Sequence, residues 1–388
     1  MRPVNEVVDS LGTTVFTVMS ALCVEHDAIN LGQGFPDEDG PEDVREAAAR
    51  AAMEGPNQYP PMMGLPVLRQ AIAAHNKRFY GLDVDWRSQV LVTSGATEAL
   101  TASLLALLQP GDEVVLIEPV YDSYLPIVRL AGAVPRMVRL RPPEWSLPEA
   151  ELRAAFGPKT KLLVLNSPMN PTGKVFDAAE LALIAELARA HDSYVICDEV
   201  YEHLVFSGSR HVPLMTLPDM AERTLRIGSA GKTFSLTGWK VGYLTGAAAL
   251  IGAVAKAHQF ITFTTPPSLQ AAVAHGLAKD DDYFRGLAAA MERKRDRLVT
   301  GLRGAGFRVL PSQGTYFANV DCRPLWNGGG DVDFAMTLVR EARVGSIPVS
   351  AFYPGEPPTH MLRFCFCKQD AVLDEAIARL RAFSGAIG

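Results

Sequence analysis

Gln89-Val90-Leu91-Val92-Thr93-Ser94-Gly95-Ala96-Thr97, followed by an apolar run to Leu108 and then Pro110-Gly111, decides how this chain is read. Gln89–Thr93 is rich in β-formers and predicts a strand. Thr97–Leu108 predicts a helix, ended by Pro110-Gly111. The alternation repeats downstream. Glu113–Ile117 and Lys161–Leu165 read as strands, the second followed by a loop, Asn166 to Lys174, rich in Pro, Asn and Gly. Asp177, with Glu180 three residues later, opens a helix running to about His191. Tyr194–Cys197 and Thr224–Ile227 extend the strand series. Strands separated by helices imply βαβ units and a doubly wound, mostly parallel α/β sheet. Their apolar runs are continuous, as expected of strands covered on both faces.

After about residue 280 the pattern changes. A charged helix, Tyr283 to Gly304, leads to strand-like Phe307–Leu310, Thr315–Val320 and Met361–Phe366, with a last helix from about Ala371 to Phe383. These elements suggest a smaller α+β domain. The expected division is a large domain over residues 45–280 and a small one from residues 1–44 plus 281–388. A chain of 388 residues fits about two domains at roughly 150 residues each.

Composition excludes several classes. The chain is 48% apolar and 21% charged, ordinary for a globular protein with a large core. Its net charge is −6 and no basic run stands out, so nucleic acid is not an expected partner. Met1–Ser20 lacks the basic start and apolar core of a signal peptide. The longest weakly polar stretch, Val241–Ala255, is too short to span a bilayer. Five scattered cysteines fit a reducing, cytoplasmic setting. Cys365-x-Cys367 has no second pair or histidine cluster beside it, so no metal is expected.

In open α/β sheets ligands bind beyond the carboxyl ends of the strands. Four polar segments follow predicted strands: Ser94-Gly95-Ala96-Thr97, Asn170-Pro171-Thr172-Gly173, Asp198 with Tyr201, and Ser229-Ala230-Gly231-Lys232. Gly95-Ala96-Thr97 is either a plain turn or an anion cradle at a helix N-terminus. Asp198 is either a helix N-cap or a carboxylate that keeps a ligand's ring nitrogen protonated, with Tyr201 able to reach the same ligand. Lys232 is either a surface lysine or a desolvated amine suited to Schiff-base chemistry. Gly231-Lys232-Thr233 imitates the end of a phosphate-binding P-loop, but Arg226 stands where that motif needs glycine. Ser229-x-x-Lys232 imitates a serine–lysine hydrolase dyad, but the accompanying S-D-N and K-T-G elements are missing. Arg363 interrupts the apolar run Met361–Phe366, which calls for either an internal ion pair or a ligand carboxylate.

Together Asn170-Pro171-Thr172-Gly173, Asp198-Glu199-Val200-Tyr201, Ser229-Ala230-Gly231-Lys232 and Arg363-Phe364 resemble the class I aminotransferases of pyridoxal-phosphate fold type I. The resemblance runs from about Thr14 to Leu380. Leu31-Gly32-Gln33-Gly34-Phe35-Pro36, Asn57-Gln58-Tyr59 and Gly238-Trp239-Lys240-Val241-Gly242 resemble the kynurenine, glutamine and methionine aminotransferase branch. Asp37-Glu38-Asp39-Gly40-Pro41 and Tyr201-Glu202-His203-Leu204-Val205-Phe206 are similar to the N-succinyldiaminopimelate aminotransferases of that branch.

The resemblance implies a role for each matching residue. Lys232 would carry pyridoxal 5'-phosphate as a Schiff base and then move the substrate α-proton. Asp198 would pair with the pyridine nitrogen, and Asn170 and Tyr201 would bond the ring's phenolic oxygen. Tyr121 would stack on the ring. Gly95, Ala96, Thr97, Ser229 and Lys240 would hold the phosphate, with Tyr59 arriving from the other subunit of a homodimer. Arg363, with Gly34 and Asn170, would take the substrate α-carboxylate, and Phe16 would line the side-chain pocket. Lys240 stands where many relatives carry arginine; Phe16 and Thr264 stand where kynurenine enzymes or other relatives tend to have tryptophan and histidine. The implied reaction is ping-pong transfer of an amino group between an amino acid and a 2-oxo acid. Two alternatives share the scaffold, a β-lyase cleaving C–S bonds and a cofactor-binding regulatory domain.

Overall fold

The computed structural model describes residues 2–387. Seven strands form the central sheet: β2 (Val90–Ser94), β3 (Glu113–Glu118), β4 (Val134–Arg139), β5 (Thr160–Asn166), β6 (Tyr194–Asp198), β7 (Thr224–Ser229) and β8 (Val241–Gly246). Their spatial order is β2-β8-β7-β6-β5-β3-β4. All neighbours are parallel except those of β8, which runs against both β2 and β7. The interior strands are buried almost throughout, which explains their unbroken apolar runs.

Sequence reading found five of the seven strands. β4 was missed because it is an edge strand, Val-Pro-Arg-Met-Val-Arg, with alternate residues in solvent. β8 was missed because Val241–Ala255, read only as a weakly polar stretch, divides at Ala247 into this strand and the helix Ala248–Ile261. No helix among the described residues is long and apolar enough to cross a membrane. The helix after β2 begins at Gly95, two residues before the expected start, so Gly95, Ala96 and Thr97 form its first turn. The capping box Asp177–Glu180 is present and opens the helix Ala178–Ala190.

A second sheet packs beside the first, in the order β12 (Ile347–Pro348), β13 (Met361–Cys365), β10 (Phe317–Asp321), β9 (Arg308–Val309), all antiparallel. The N-terminal segment joins this half of the chain: β1 (Ile29–Asn30) pairs in parallel with β11 (Val344–Gly345). That pairing carries Leu31 and Gly32 to the side of β13 and Gly34 to Tyr316 and Phe317.

A buried polar cluster ties β6, β7 and β8 to the helix Pro66–Tyr80. Arg226 on β7 donates to Glu199 at 2.5 Å, to Glu202, and to Asn76 Oδ1 at 2.6 Å. Tyr80 and Tyr243 donate to Glu202, and His211 meets Glu199 at 3.0 Å. At its edge the Nε2 atoms of His75 and His203 lie 2.8 Å apart. Burial pushes these imidazoles down to about 3 and about 4 from an ordinary 6.5. Both are therefore neutral in the folded chain at pH 5, whereas an unfolded chain protonates them. Acid thus favours unfolding over this window. The urea midpoint is expected to fall as pH drops from 6.5 towards 4, above the range in which most carboxylates titrate. A flat midpoint over that interval would count against the burial.

Candidate active site

The carboxyl ends of the parallel strands open onto a cavity of about 400 Å³. Asn166 and Asp198, paired across β5 and β6, end adjacent strands at its floor. Because β8 is antiparallel, its starting end lies at this same edge, with Val241 opposite Ser94 and Gly242 opposite Ser229. Lys240 is thereby delivered beside the helix that begins at Gly95. Gly95 adopts φ +75°, and a Cβ there would lie 3.4 Å from Lys240 Nζ. Gly242 permits the close approach of β8 to this turn, since a Cβ on it would meet Ala96 N at 2.6 Å. Gly95, Ala96, Thr97, Ser229 and Lys240 all line the cavity, so helix amides and an ammonium converge on one corner.

Asp198 is buried. Tyr124 donates its hydroxyl to Oδ2 at 2.5 Å and Val200 N approaches Oδ1 at 3.4 Å. Among the described residues no cationic side chain pairs with it, and no helix starts there for it to cap. Burial raises its pKa, while the Tyr124 hydrogen bond opposes the rise. A carboxylate so enclosed is completed by a ligand that brings a positive charge or an N–H.

Lys232, in the short helix Ala230–Thr233 after β7, donates to Tyr316 Oη at 2.8 Å and to the Gly34 carbonyl at 3.2 Å. Tyr316 also donates to Gly34 O at 2.6 Å, so the amine is held from the N-terminal segment and the second sheet together. Burial lowers the pKa of Lys232, partly offset by the field of Cys367, Cys365 and Asp198. The surface-lysine reading is excluded.

Arg363 is 1% exposed at the centre of β13. Its Nη1 donates to Asn170 Oδ1 at 2.8 Å and its Nη2 to Gly32 O at 2.7 Å, while Nε has no partner. Its guanidinium lies 3.9 Å over Phe317, with Phe16 and Phe352 at 5.3 and 5.2 Å. No carboxylate pairs with it among the described residues, so the internal ion pair weighed from sequence is absent. A buried fork with neutral partners and an unused donor is suited to an incoming carboxylate.

The expected residues are otherwise brought together: Phe16, Gly34, Tyr121, Asn170 and Tyr201 all line the cavity. Tyr59 is the exception. It is 83% exposed and lies against Phe263, outside the cavity lining of its own chain, and Thr264 is likewise not among the lining residues. Sequence reading missed Tyr124, Tyr316, Asn166, whose Oδ1 accepts from Asn170 N at 2.8 Å, and Asp122. Tyr124 carried a faint signal, three residues after Tyr121, where the helix Tyr124–Leu130 begins. Nothing local joins Tyr316 to Lys232, 84 residues away.

The family model for aminotransferase class I and II matches residues 26–380. The chain is 48% identical over 380 residues to a probable N-succinyldiaminopimelate aminotransferase of Mycobacterium tuberculosis, covering 95% of each. It is 41% identical over 371 residues to the methionine aminotransferase of Escherichia coli, covering 96% of each. The solved structure of the Mycobacterium tuberculosis N-succinyldiaminopimelate aminotransferase superposes with a TM-score of 0.95 over 98% of this chain and 100% of that one. A fold shared at such identity across the whole length carries the activity class with it. The chain belongs to the class I and II aminotransferases and is an amino-group-transferring enzyme of fold type I.

Proposed function

We propose that this chain is a pyridoxal-phosphate-dependent aminotransferase for L-amino acids with hydrophobic, sulfur-containing or aromatic side chains, or for N-succinyldiaminopimelate, working by a ping-pong exchange with a 2-oxo acid. The observation that carries the reading is one cavity holding a desolvated amine, an uncompensated buried carboxylate, a helix N-terminus with an ammonium, and an unpaired guanidinium fork. Those four groups fit the aldehyde, ring nitrogen, phosphate and substrate α-carboxylate respectively. When bound, the cofactor supplies an electron sink for the bond broken at the substrate α-carbon.

The protein's own groups do the rest. Asp198, fixed by Tyr124, would pair with the ring nitrogen and favour its protonated form. Asn170 and Tyr201 would bond the phenolic oxygen, and Tyr121 would cover the ring face. Arg363 orients the substrate by its α-carboxylate, with Asn170 already aligned on its fork. Lys232 takes the α-proton as a neutral amine, which its burial makes accessible at lower pH than for a solvated lysine. Phe16 and Phe317 leave an apolar wall for the substrate side chain.

The exposed cluster Tyr59, Phe260, Ile261 and Phe263 supports a homodimer in which Tyr59 reaches the phosphate of the other subunit. Residues 45–280 would form the cofactor-binding domain, and residues 1–44 plus 281–388 the small domain that closes on substrate. Five free, buried cysteines support a cytoplasmic setting. A second substrate, N-succinyldiaminopimelate, is favoured by the relative that is 48% identical.

Borohydride reduction of the yellow holoenzyme is expected to trap the cofactor on the peptide containing Lys232. A single-turnover panel of methionine, glutamine, kynurenine, phenylalanine and N-succinyldiaminopimelate then ranks the donors by loss of the visible band. Trapping elsewhere would end the reading. Release of pyruvate and ammonia from a cysteine conjugate, with no oxo-acid acceptor required, would shift it to a lyase.

A further inference from the structure

Behind the corner formed by Gly95, Ala96, Thr97 and Lys240 lie two buried side chains that do not line the cavity, Glu98 and His258. Glu98 is in the first turn of the helix Gly95–Leu107, and its Oε2 accepts the amide N–H of Ser94, so it holds the turn from below. Its Oε1 lies 2.6 Å from Nδ1 of His258, in the last turn of the helix Ala248–Ile261. Nε2 of the same ring lies 3.0 Å from the carbonyl oxygen of Met62. With a carboxylate on one side and a carbonyl on the other, the ring satisfies both only as an imidazolium, which donates twice.

We infer that His258, as an imidazolium, is a positioning residue for the cofactor phosphate, neutralising Glu98 and tying the Ser94–Ala96 turn to Met62. The inference rests on the cofactor reading of that corner. A carboxylate in the first turn of an anion-binding helix fixes the turn but repels the anion, and the imidazolium removes the repulsion. Met62 lies three residues after Tyr59, so the same ring also anchors the segment proposed to reach the other subunit. Glu98 is the charged group paired with His258, and the Met62 segment presents a backbone carbonyl to it. β2 and β8, packed on the same helix, carry no acidic or basic side chain, and the Tyr243 hydroxyl faces Glu202 instead. Burial alone would lower the pKa of His258; the Glu98 hydrogen bond and charge, with the backbone of Met62 and Phe263, outweigh it and hold the ring above its ordinary 6.5. The bridge is therefore complete below that raised pKa and loses one of its two donors as pH climbs through it.

Titration of the apoprotein with pyridoxal 5'-phosphate, with pyridoxal and with inorganic phosphate provides the test. His258→Phe should weaken pyridoxal 5'-phosphate and phosphate by about tenfold or more and leave pyridoxal within about threefold. Glu98→Gln is the conservative variant, since its amide can accept from Ser94 and donate to a neutral imidazole that still donates to Met62. It should stay within about threefold of wild type near neutral pH. Between about pH 6.5 and 9.5 the wild type should lose phosphate affinity about tenfold more than Glu98→Gln does. Nitrogen-15 shifts of the His258 ring in the apoprotein should show both nitrogens protonated at neutral pH.

Unchanged phosphate affinity in His258→Phe overturns the inference. So does an equal loss for pyridoxal, which would make the pair a support of the fold at large, or a singly protonated ring at neutral pH. Wild-type protein that binds phosphate but not pyridoxal 5'-phosphate ends the cofactor reading, and the phosphate series then decides the role of His258 without it.

Discussion

Lys232→Ala is expected to lower transamination by about 10⁴-fold or more while leaving the fold and the phosphate corner in place. The side chain removed is the buried amine that bonds Tyr316 and the Gly34 carbonyl and faces the cavity. In the proposed reaction it would do two things, hold the cofactor covalently and carry the substrate proton, and no neighbour would replace it. The other cavity cations are Lys240, against Gly95, and Arg363, tied to Asn170 and Gly32. Tyr316, although 2.8 Å away, is a phenol whose pKa burial raises, so it is a poor base at neutral pH. Lys232→Arg is expected to be equally inactive, because a guanidinium does not lose its proton. The checks are single-turnover rates, the loss of the visible band, and partial rescue by added methylamine. A Lys232→Ala protein with wild-type turnover would remove the basis of the functional reading.

Arg226→Met is expected to destabilise the fold by about 3–5 kcal/mol, the usual result of breaking a buried ion network by deleting one partner. Arg226 is 1% exposed and is the cation between Glu199 and Glu202, both buried. Without it two carboxylates share a dry pocket with tyrosine hydroxyls, an amide, His211 and the neutral imidazoles of His75 and His203 for company. Burial alone would raise Glu202's pKa; Arg226 is the main influence holding it below the ordinary carboxylate range. The midpoint of urea unfolding reports the loss. The combination Arg226→Met with Glu199→Gln and Glu202→Gln should recover much of it, because uncharged groups of similar volume remove the desolvation cost that made the arginine necessary. A single variant as stable as the parent would show that the cluster is hydrated.

Several polar residues of the cavity were readable from sequence because they lie at or just after the carboxyl ends of strands, where open α/β sheets bind ligands. Asn170 and Lys232 follow β5 and β7, Asp198 ends β6, and Gly95 follows β2; all four line the cavity. Their local signals are strong: apolar strands, small residues at the turns, and a polar residue directly after the strand. Arg363 was legible for a different reason, the high cost of a guanidinium inside an apolar strand.

The sequence could not reveal partners that come from distant parts of the chain. Tyr316 meets Lys232 and Gly34 only because β10 and the β1–β11 pairing converge there. Tyr124 meets Asp198 across 74 residues, and Arg226 reaches Asn76 across 150. The antiparallel sense of β8, which delivers Lys240 to the Gly95 turn, depends on sheet order, and periodicity in a short apolar run carries no information about order.

What the amino-acid order determined alone was the α/β class and the identity of the groups at the sheet's functional edge, since strand period and turn chemistry are local properties. What only the tertiary structure decided was which of those groups are compensated. Among the described residues Arg363 pairs with no carboxylate, and Asp198 and Asp122 pair with no cation. Charge balance in a buried site is summed over every element packed around it, and those elements lie hundreds of residues apart.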